Sequence, residues 1–232
     1  MTSSVRNYVR FSRSKYFSAF QAVSFPAFYP LHPSVLSPLK RLIDVFGALV
    51  GLVMVTIVAI PIAIAIQLDN PGPILYSQTR CGLQGKQFRI WKFRSMVCNA
   101  EALKHAVKNE ASGHIFKNAK DPRITRVGHF LRRTSLDELP QFWNVLQGDM
   151  SLVGTRPPTV GEVEQYQPHH WQRLNVKPGM TGEWQANGRS SVTDFEEIVR
   201  MDLAYQRKWS IGYDLQLIAK TVSVVFTKSG AC

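Results

Sequence analysis

The chain has 232 residues, 45% of them hydrophobic, and carries 28 Lys and Arg against 16 Asp and Glu, a formal charge of +12. Length and apolar content suit one domain of ordinary size with a real core, while the charge calls for a polyanionic partner: nucleic acid, anionic lipid or a phosphorylated substrate. The three cysteines, Cys81, Cys98 and Cys232, exclude a disulfide scaffold and favour a reducing compartment, because they are odd in number, widely spaced and form no Cys-x-x-Cys pair.

Residues 1–39 contain no acid and interleave Arg6, Arg10, Arg13 and Lys15 with Phe, Tyr and Ser. Such an arm suits an anionic membrane surface, a transit-peptide-like segment or a solvated tail. Pro26, Pro30, Pro33 and Pro38 mark a linker rather than a packed element. No secretory signal peptide is expected, since the first apolar run begins too late. That run, Val45 to Leu68, carries no charge. As a straight helix it is about 36 Å long, enough to span a bilayer. Its flanks are basic on both sides, Lys40 and Arg41 before and Arg80, Lys86, Arg89, Lys92 and Arg94 after. The positive-inside rule therefore gives no crossing direction, as it would if both ends stayed on the cytoplasmic side.

Beyond the apolar run the pattern alternates. Ile74–Gln78 and Gln87–Phe93 read as two strands joined by a turn with two glycines, Gly82 and Gly85. Asn99–Lys108 reads as a polar helix, and Arg126–Arg133 as a short basic amphipathic one. Val160–Gln167 and Pro168–Leu174 look helical and exposed, with His169-His170 a surface pair rather than metal ligands. Thr193-x-x-Glu196 reads as a capping box opening a helix to about Trp209. A last amphipathic helix, Tyr213–Lys228, carries Leu215, Ile218, Ala219, Val222 and Phe226 on one face, for the core or for a membrane interface. There is no internal repeat and no sign of a second domain.

The most telling stretch is Ser135-Leu-Asp-Glu-Leu-Pro-Gln-Phe-Trp-Asn-Val-Leu146. In structural terms Ser135-x-x-Glu138 fits a capping box, Asp137 complements the helix dipole, and Leu136, Leu139, Phe142, Trp143 and Leu146 recur at helical spacing. In chemical terms, adjacent carboxylates diverge, so Asp137 and Glu138 suit different tasks, one as nucleophile and one as metal ligand. Arg132 and Arg133 upstream and Arg156 downstream supply cations for phosphoryl oxygens.

In register along about residues 40–230 stand Lys40-Arg41-x-x-Asp44, Asn70-Pro-Gly-Pro73, Trp91-Lys-Phe-Arg-Ser-Met96 and Asp121-Pro-Arg-Ile-Thr-Arg-Val-Gly128. Leu131 to Gln141, Gly148 to Pro157 and Lys177 to Arg189 follow. In these blocks the chain resembles the bacterial sugar transferases, the monotopic polyprenyl-phosphate phosphoglycosyl transferases. The resemblance implies an α-rich α/β fold with short strands and amphipathic interfacial helices. It implies a basic arm over 1–39, a re-entrant membrane helix over 40–69 and a cytosolic catalytic domain over 70–232. The family commonly bends its membrane helix at a Ser-Pro pair. This chain has Thr56-Ile57 there, which leaves Pro61 as the break.

The resemblance also implies a reaction. Asp137 is the nucleophile that takes a phosphosugar from a UDP-sugar, releasing UMP, before polyprenyl (undecaprenyl) phosphate receives it. Glu138, with Asp137, holds Mg²⁺. Arg133, Arg156, Arg189, Lys92 and Arg94 stand at phosphate-binding positions, although Thr155 replaces the first proline of the turn around Arg156. For Lys177 the solvated reading is kept. Membrane lipids are expected partners, with the catalytic domain on the cytoplasmic face of the bacterial inner membrane; an apolar helix leaves room for a homodimer. The product would enter exopolysaccharide, capsule or glycoconjugate synthesis. Two rival classes are a non-catalytic membrane scaffold and a membrane-tethered nucleic-acid binder using Trp91, Trp143, Trp171 and Trp184. No nucleic acid is expected, because the cations are scattered and no binding motif is present.

Overall fold

The computed structural model describes residues 31–187 and 192–227, so residues 1–30 of the expected arm lie outside it. In chain order the elements begin with α1 (Pro33–Leu36), α2 (Pro38–Asp69), β1 (Leu75–Cys81), β2 (Gln87–Phe93), α3 (Arg126–Arg133), α4 (Gln141–Gln147) and β3 (Ser151–Val153). They continue with α5 (Val160–Val163), β4 (Gly179–Thr181), α6 (Glu183–Asn187), α7 (Phe195–Lys208) and α8 (Ile211–Thr227). β1 and β2 form an antiparallel hairpin with Tyr76 opposite Lys92 and Arg80 opposite Phe88. β3 and β4 pair in parallel, Ser151 with Gly179 and Val153 with Thr181. The fold is therefore helix-rich with two small sheets.

The proline-marked segment before α2 packs, against the linker expectation. His32 donates through Nε2 to the Gln206 carbonyl at 3.0 Å, while its Nδ1 accepts the Ser34 N–H and so starts the one turn of α1. Ser37 then caps α2 by accepting the Lys40 N–H at 3.3 Å, with Pro38 pre-set for the first turn.

Helix α2 runs for 32 residues, about 48 Å, and among the described residues it is the one helix long and apolar enough to cross a membrane. The backbone stays helical through Pro61, so the helix is not interrupted at the residue expected to break it. An internal proline costs a helix about 3 kcal/mol, and packing on both sides offsets it. Val55, Val58 and Ala59 before the proline and Ile62 and Ile66 after it join one cluster with Phe93, Leu131, Leu136 and Leu139. Lys40, Asp44, Ala48, Gly51, Ile62 and Ile66 form the buried face, while Leu42, Phe46, Val53, Ile57, Ile60 and Leu68 stand exposed.

A polar seam fixes how α2 is rotated. The Lys40 ammonium lies 2.5 Å from Asp214 Oδ2 and donates to the Val153 carbonyl at 3.0 Å. Tyr205 donates its hydroxyl to Asp214 Oδ1 at 2.9 Å, and Trp209 Nε1 donates to Oδ2 at 3.2 Å. Four residues on, Asp44 Oδ1 accepts from Ser151 Oγ and the Leu152 N–H, both at 2.9 Å.

Asp214 also sets the rotation of α8, and here the expected face is corrected. Leu217 is the buried apolar residue, packed with Ile218 and Tyr213 against Val153 and Tyr205. Leu215, Ala219 and Val222 point out, and the Phe226 side chain lies outside the described residues.

The hairpin forms as expected, with β2 at its expected bounds, but β1 begins one residue late and runs on to Cys81, past the expected end at Gln78. Helix α3 has the expected bounds, with Thr125 accepting the Gly128 N–H at 3.0 Å and Asp69 Oδ2 accepting the Val127 N–H at 2.8 Å. Asn99–Lys108 is not an α-helix: it forms turns and one 3-10 turn, Lys104–Ala106. Its leucine, Leu103, is exposed, so the segment has no apolar face whose burial would hold a helix. Pro168–Asn175 is 3-10 and largely buried through His170, Trp171, Arg173 and Leu174, not exposed. The second capping box is corrected too. Asp194 caps α7, and Glu196 turns away to the histidines.

Gly128 lies flat on the strand end after β2. A Cβ there would come within 1.9 Å of the Ser95 carbonyl oxygen. Gly128→Ala is therefore expected to destabilise the fold by about 1–3 kcal/mol or more, seen as a lower thermal midpoint in detergent. An unchanged midpoint would show that α3 lifts off without cost.

Candidate active site

The carboxylate pair does not open a helix. Ser135 adopts a left-handed conformation (φ 57°, ψ 16°), an unusual state for a non-glycine residue. Its side chain makes no capping bond, so the expected capping box is absent. Leu136–Glu138 form a single 3-10 turn, and α4 begins only at Gln141, after Pro140. The reversal at Ser135 ends α3 and folds the turn back over β2, while Leu136 and Leu139 seat it on α2.

The two carboxylates separate as their adjacency requires. Asp137 is 5% exposed, whereas Glu138 reaches the edge and receives the Lys92 ammonium at 2.7 Å. Lys92 and Glu138 are thus brought together by β2 and the turn.

Arg132, not Arg133, faces them. Arg133 is exposed at the end of α3. Arg132 donates Nε to Ser95 Oγ at 2.9 Å; burial lowers the pKa of its guanidinium, and Asp137 supplies the largest opposing charge. The signal was in the sequence: Arg132 follows Gly128 by four residues and so shares the face that lies on Ser95.

Arg156 bonds Glu162 through both terminal nitrogens, at 2.9 and 3.4 Å. Burial opposes the Glu162 anion, but Arg156 outweighs it and holds the carboxyl below its usual range. The replaced proline does not loosen this turn, because Thr155 is buried and donates to the Arg173 carbonyl at 3.2 Å. Arg80, a residue the motif reading passed over, lies beside it. Burial and the neighbouring Arg156 charge push its pKa down to about 10, with Glu162 and Glu138 among the charges opposing the shift.

The other expected residues stand elsewhere. Arg94 binds the Asn70 carbonyl and side chain and touches Cys98, bracing the turn after α2 rather than joining Asp137. Arg189 lies outside the described residues. Lys177, expected to be solvated, is half-buried near Arg41, and burial and that cation lower its pKa.

For a hard divalent cation, which takes one or two carboxylates and completes its shell from phosphates and water, Asp137 and Glu138 are a fitting donor set. Lys92 would have to release Glu138. A second cluster, His169, His170 and Glu196, has ligand atoms within 4.8 Å of one another. His170 is 1% exposed, against the surface reading. Its Nδ1 accepts the Gln167 N–H at 3.0 Å, which puts the ring proton on Nε2, 2.7 Å from Glu196 Oε1. The nitrogen that a metal would need is therefore a donor, and the cluster reads as a hydrogen-bonded brace between Pro168–Asn175 and α7.

Comparison with known proteins comes to the same part of the chain. The family described as bacterial sugar transferase matches residues 35–228. The galactosyl transferase CpsE of Streptococcus agalactiae is 51% identical over 194 residues, 83% of this chain and 43% of that protein. A UDP-glucose:undecaprenyl-phosphate glucose-1-phosphate transferase of Escherichia coli is 42% identical over 215 residues, 87% of this chain and 44% of its own length. The chain thus spans less than half of these two relatives. It covers 96% of the exopolysaccharide production protein PSS of Rhizobium leguminosarum, at 39% identity over 203 residues and 82% of this chain.

The histidine brace is testable by pH. Burial holds the His170 pKa below its usual 6.5, against the pull of Glu196. A depressed folded pKa gives stability that is complete above about pH 6.5 and is lost as pH falls through the folded value. Wild type should therefore lose melting temperature from about pH 6.5 downwards. His170→Asn, which keeps an acceptor for the Gln167 N–H, should show a shallower fall. Parallel curves would remove His170 from the acid response.

Proposed function

The chain belongs to the bacterial sugar transferase family, and on that premise we propose that it transfers a sugar phosphate from a UDP-sugar to undecaprenyl phosphate. The relatives' names support the substrate classes. The observation that carries the reading to residues is the reversed turn at Ser135. It presents two adjacent carboxylates in unlike surroundings, Asp137 sunk beside the Arg132 charge and Glu138 held by Lys92.

Asp137 is the nucleophile in this reading. Its carboxylate oxygen attacks the β-phosphorus of the donor. The bond from that phosphorus to the bridging oxygen breaks, and UMP leaves with the electron pair. The acceptor's phosphate oxygen then attacks the same phosphorus, the Asp137 carboxylate departs, and polyprenyl-diphosphate-sugar forms. Splitting the reaction lets one site serve a water-soluble donor and a bilayer-bound acceptor in turn. Arg132, Lys92 and Arg156 supply fixed positive charge where oxygen charge grows, the largest usual source of such catalysis. Glu138 and Asp137 would hold Mg²⁺, which neutralises diphosphate oxygens when bound.

The exposed side of α2, with Leu42, Phe46, Val53, Ile57 and Ile60, is the surface proposed to enter lipid. Its opposite side stays on the domain from Lys40 to Ile66. That favours a monotopic seat on the cytoplasmic face of the inner membrane over a perpendicular span, which would have to part the helix from the domain.

UMP release from UDP-glucose and UDP-galactose with undecaprenyl phosphate tests the reading. Asp137→Asn should abolish release while its melting curve stays intact, and equal release from both proteins would overturn the nucleophile. Arg132→Ala should lose about 10²–10³-fold in kcat, whereas Arg133→Ala should stay within about threefold. The reverse order would return the role to Arg133. Glu138→Gln should flatten the Mg²⁺ response, and an unaltered response would reject it as a ligand.

A further inference from the structure

Arg80 is a charge that the fold does not need. It is partly buried on β1, yet both of its hydrogen-bond acceptors are neutral: the Pro157 carbonyl at 3.1 Å from Nη1 and Gln78 Oε1 at 2.7 Å from Nη2. Its Nε is sealed from solvent with no acceptor. Guanidinium offers five N–H donors, so most of this one's capacity is unspent. Among the described residues it has no ion pair of its own, and the strongest single charge acting on it is another cation, Arg156, whose two terminal nitrogens are already committed to Glu162.

Holding a carbonyl and an amide requires a donor, not a charge. Burying an uncompensated charge is costly, and such groups persist where a ligand completes them. The location fits. Tyr76, Gln78 and Arg80 alternate along one face of β1, and Tyr76 is paired with Lys92, the residue that grips Glu138. Glu138 is itself among the charges acting on Arg80. Two arginines set against one acid, Glu162, leave one positive charge over within the influence of Glu138.

We propose that Arg80 binds the diphosphate of the nucleotide donor, forming with Arg156 an arginine pair that the anion completes. The inference rests on the phosphoglycosyl transfer reading above. Arg80 already clips the end of the Thr155–Pro157 turn through the Pro157 carbonyl, so donor binding would join the hairpin and that turn through one ligand.

The test separates binding from architecture. UDP and uridine are titrated by ligand-observed NMR into the detergent-solubilised chain, as wild type, Arg80→Gln and Arg80→Lys, with melting curves for each. Arg80→Gln should weaken UDP by about tenfold or more, the scale of a lost charge-assisted bond. It should leave uridine within about twofold, since uridine lacks the phosphates the contact serves. Arg80→Lys, which keeps the charge and loses the fork, should fall between. Should the Gln variant not fold, the Lys variant decides: UDP affinity equal to wild type overturns the proposal. Equal weakening of UDP and uridine also overturns it, since that is the mark of a merely structural arginine. A wild type that binds no UDP overturns the transfer reading and this inference together, whereas wild-type binding untouched by either Arg80 variant overturns this inference alone.

Discussion

The buried pair of Lys40 and Asp214 is the constraint on which the rest of the structure depends. It joins the first turn of the long apolar helix to the last helix of the chain, with Val153, Tyr205 and Trp209 satisfying the remaining valences. Such a pair returns little net stability after desolvation, but removing one partner strands a buried charge at about 3–5 kcal/mol. Its role here is register. Once Lys40 is fixed, Asp44 meets Ser151 and Leu152, Gly51 comes against Phe142, and Ile62 and Ile66 enter one cluster with Phe93, Leu131, Leu136 and Leu139. The helix that the ion pair orients thus shares its far-end packing with the carboxylate turn.

Much of the fold was legible because local signals and burial agree. Arg126–Arg133 is a helix from its Thr125 cap to its basic end, and the hairpin follows its glycines. The misreadings occur where a tertiary contact outbids a local one. Both supposed capping boxes fail for this reason. Ser135 is held in a reversal that α2 and β2 demand, and Glu196 is claimed by two histidines distant in sequence. The last helix was read by its apolar spacing, yet the buried Asp214 brings Leu217 inward and leaves Leu215 and Val222 exposed. Periodicity cannot weigh one ion pair against three methyl-rich side chains.

The candidate site shows the same division. Asp137, Glu138, Lys92 and Arg156 were readable as motif residues. Arg132 was named with Arg133 as a cation but not carried to a phosphate-binding position, because motif position ignores which face of a helix is covered. Arg80 was read only as a basic flank of the apolar run, because nothing local says that a strand arginine will be buried without an acid. Lys40, Arg123 and Arg173 are buried in ion pairs, each with its own acid, so these pairs leave the chain's excess of cations untouched.

The unbroken helix has one further consequence. Gly51 lies against Phe142 in the helix after the carboxylate turn, and Ile62 and Ile66 share one apolar cluster with Leu136 and Leu139. Helix and turn are thus coupled through shared packing. On the proposed seating of α2 in lipid, the helix would act as a depth gauge that sets the height of Asp137 against the headgroups. Hydrocarbon thickness would then become a variable of the proposed reaction: a bilayer that lifts or sinks the helix by a few ångströms would shift Asp137 with respect to an acceptor phosphate anchored by its own tail.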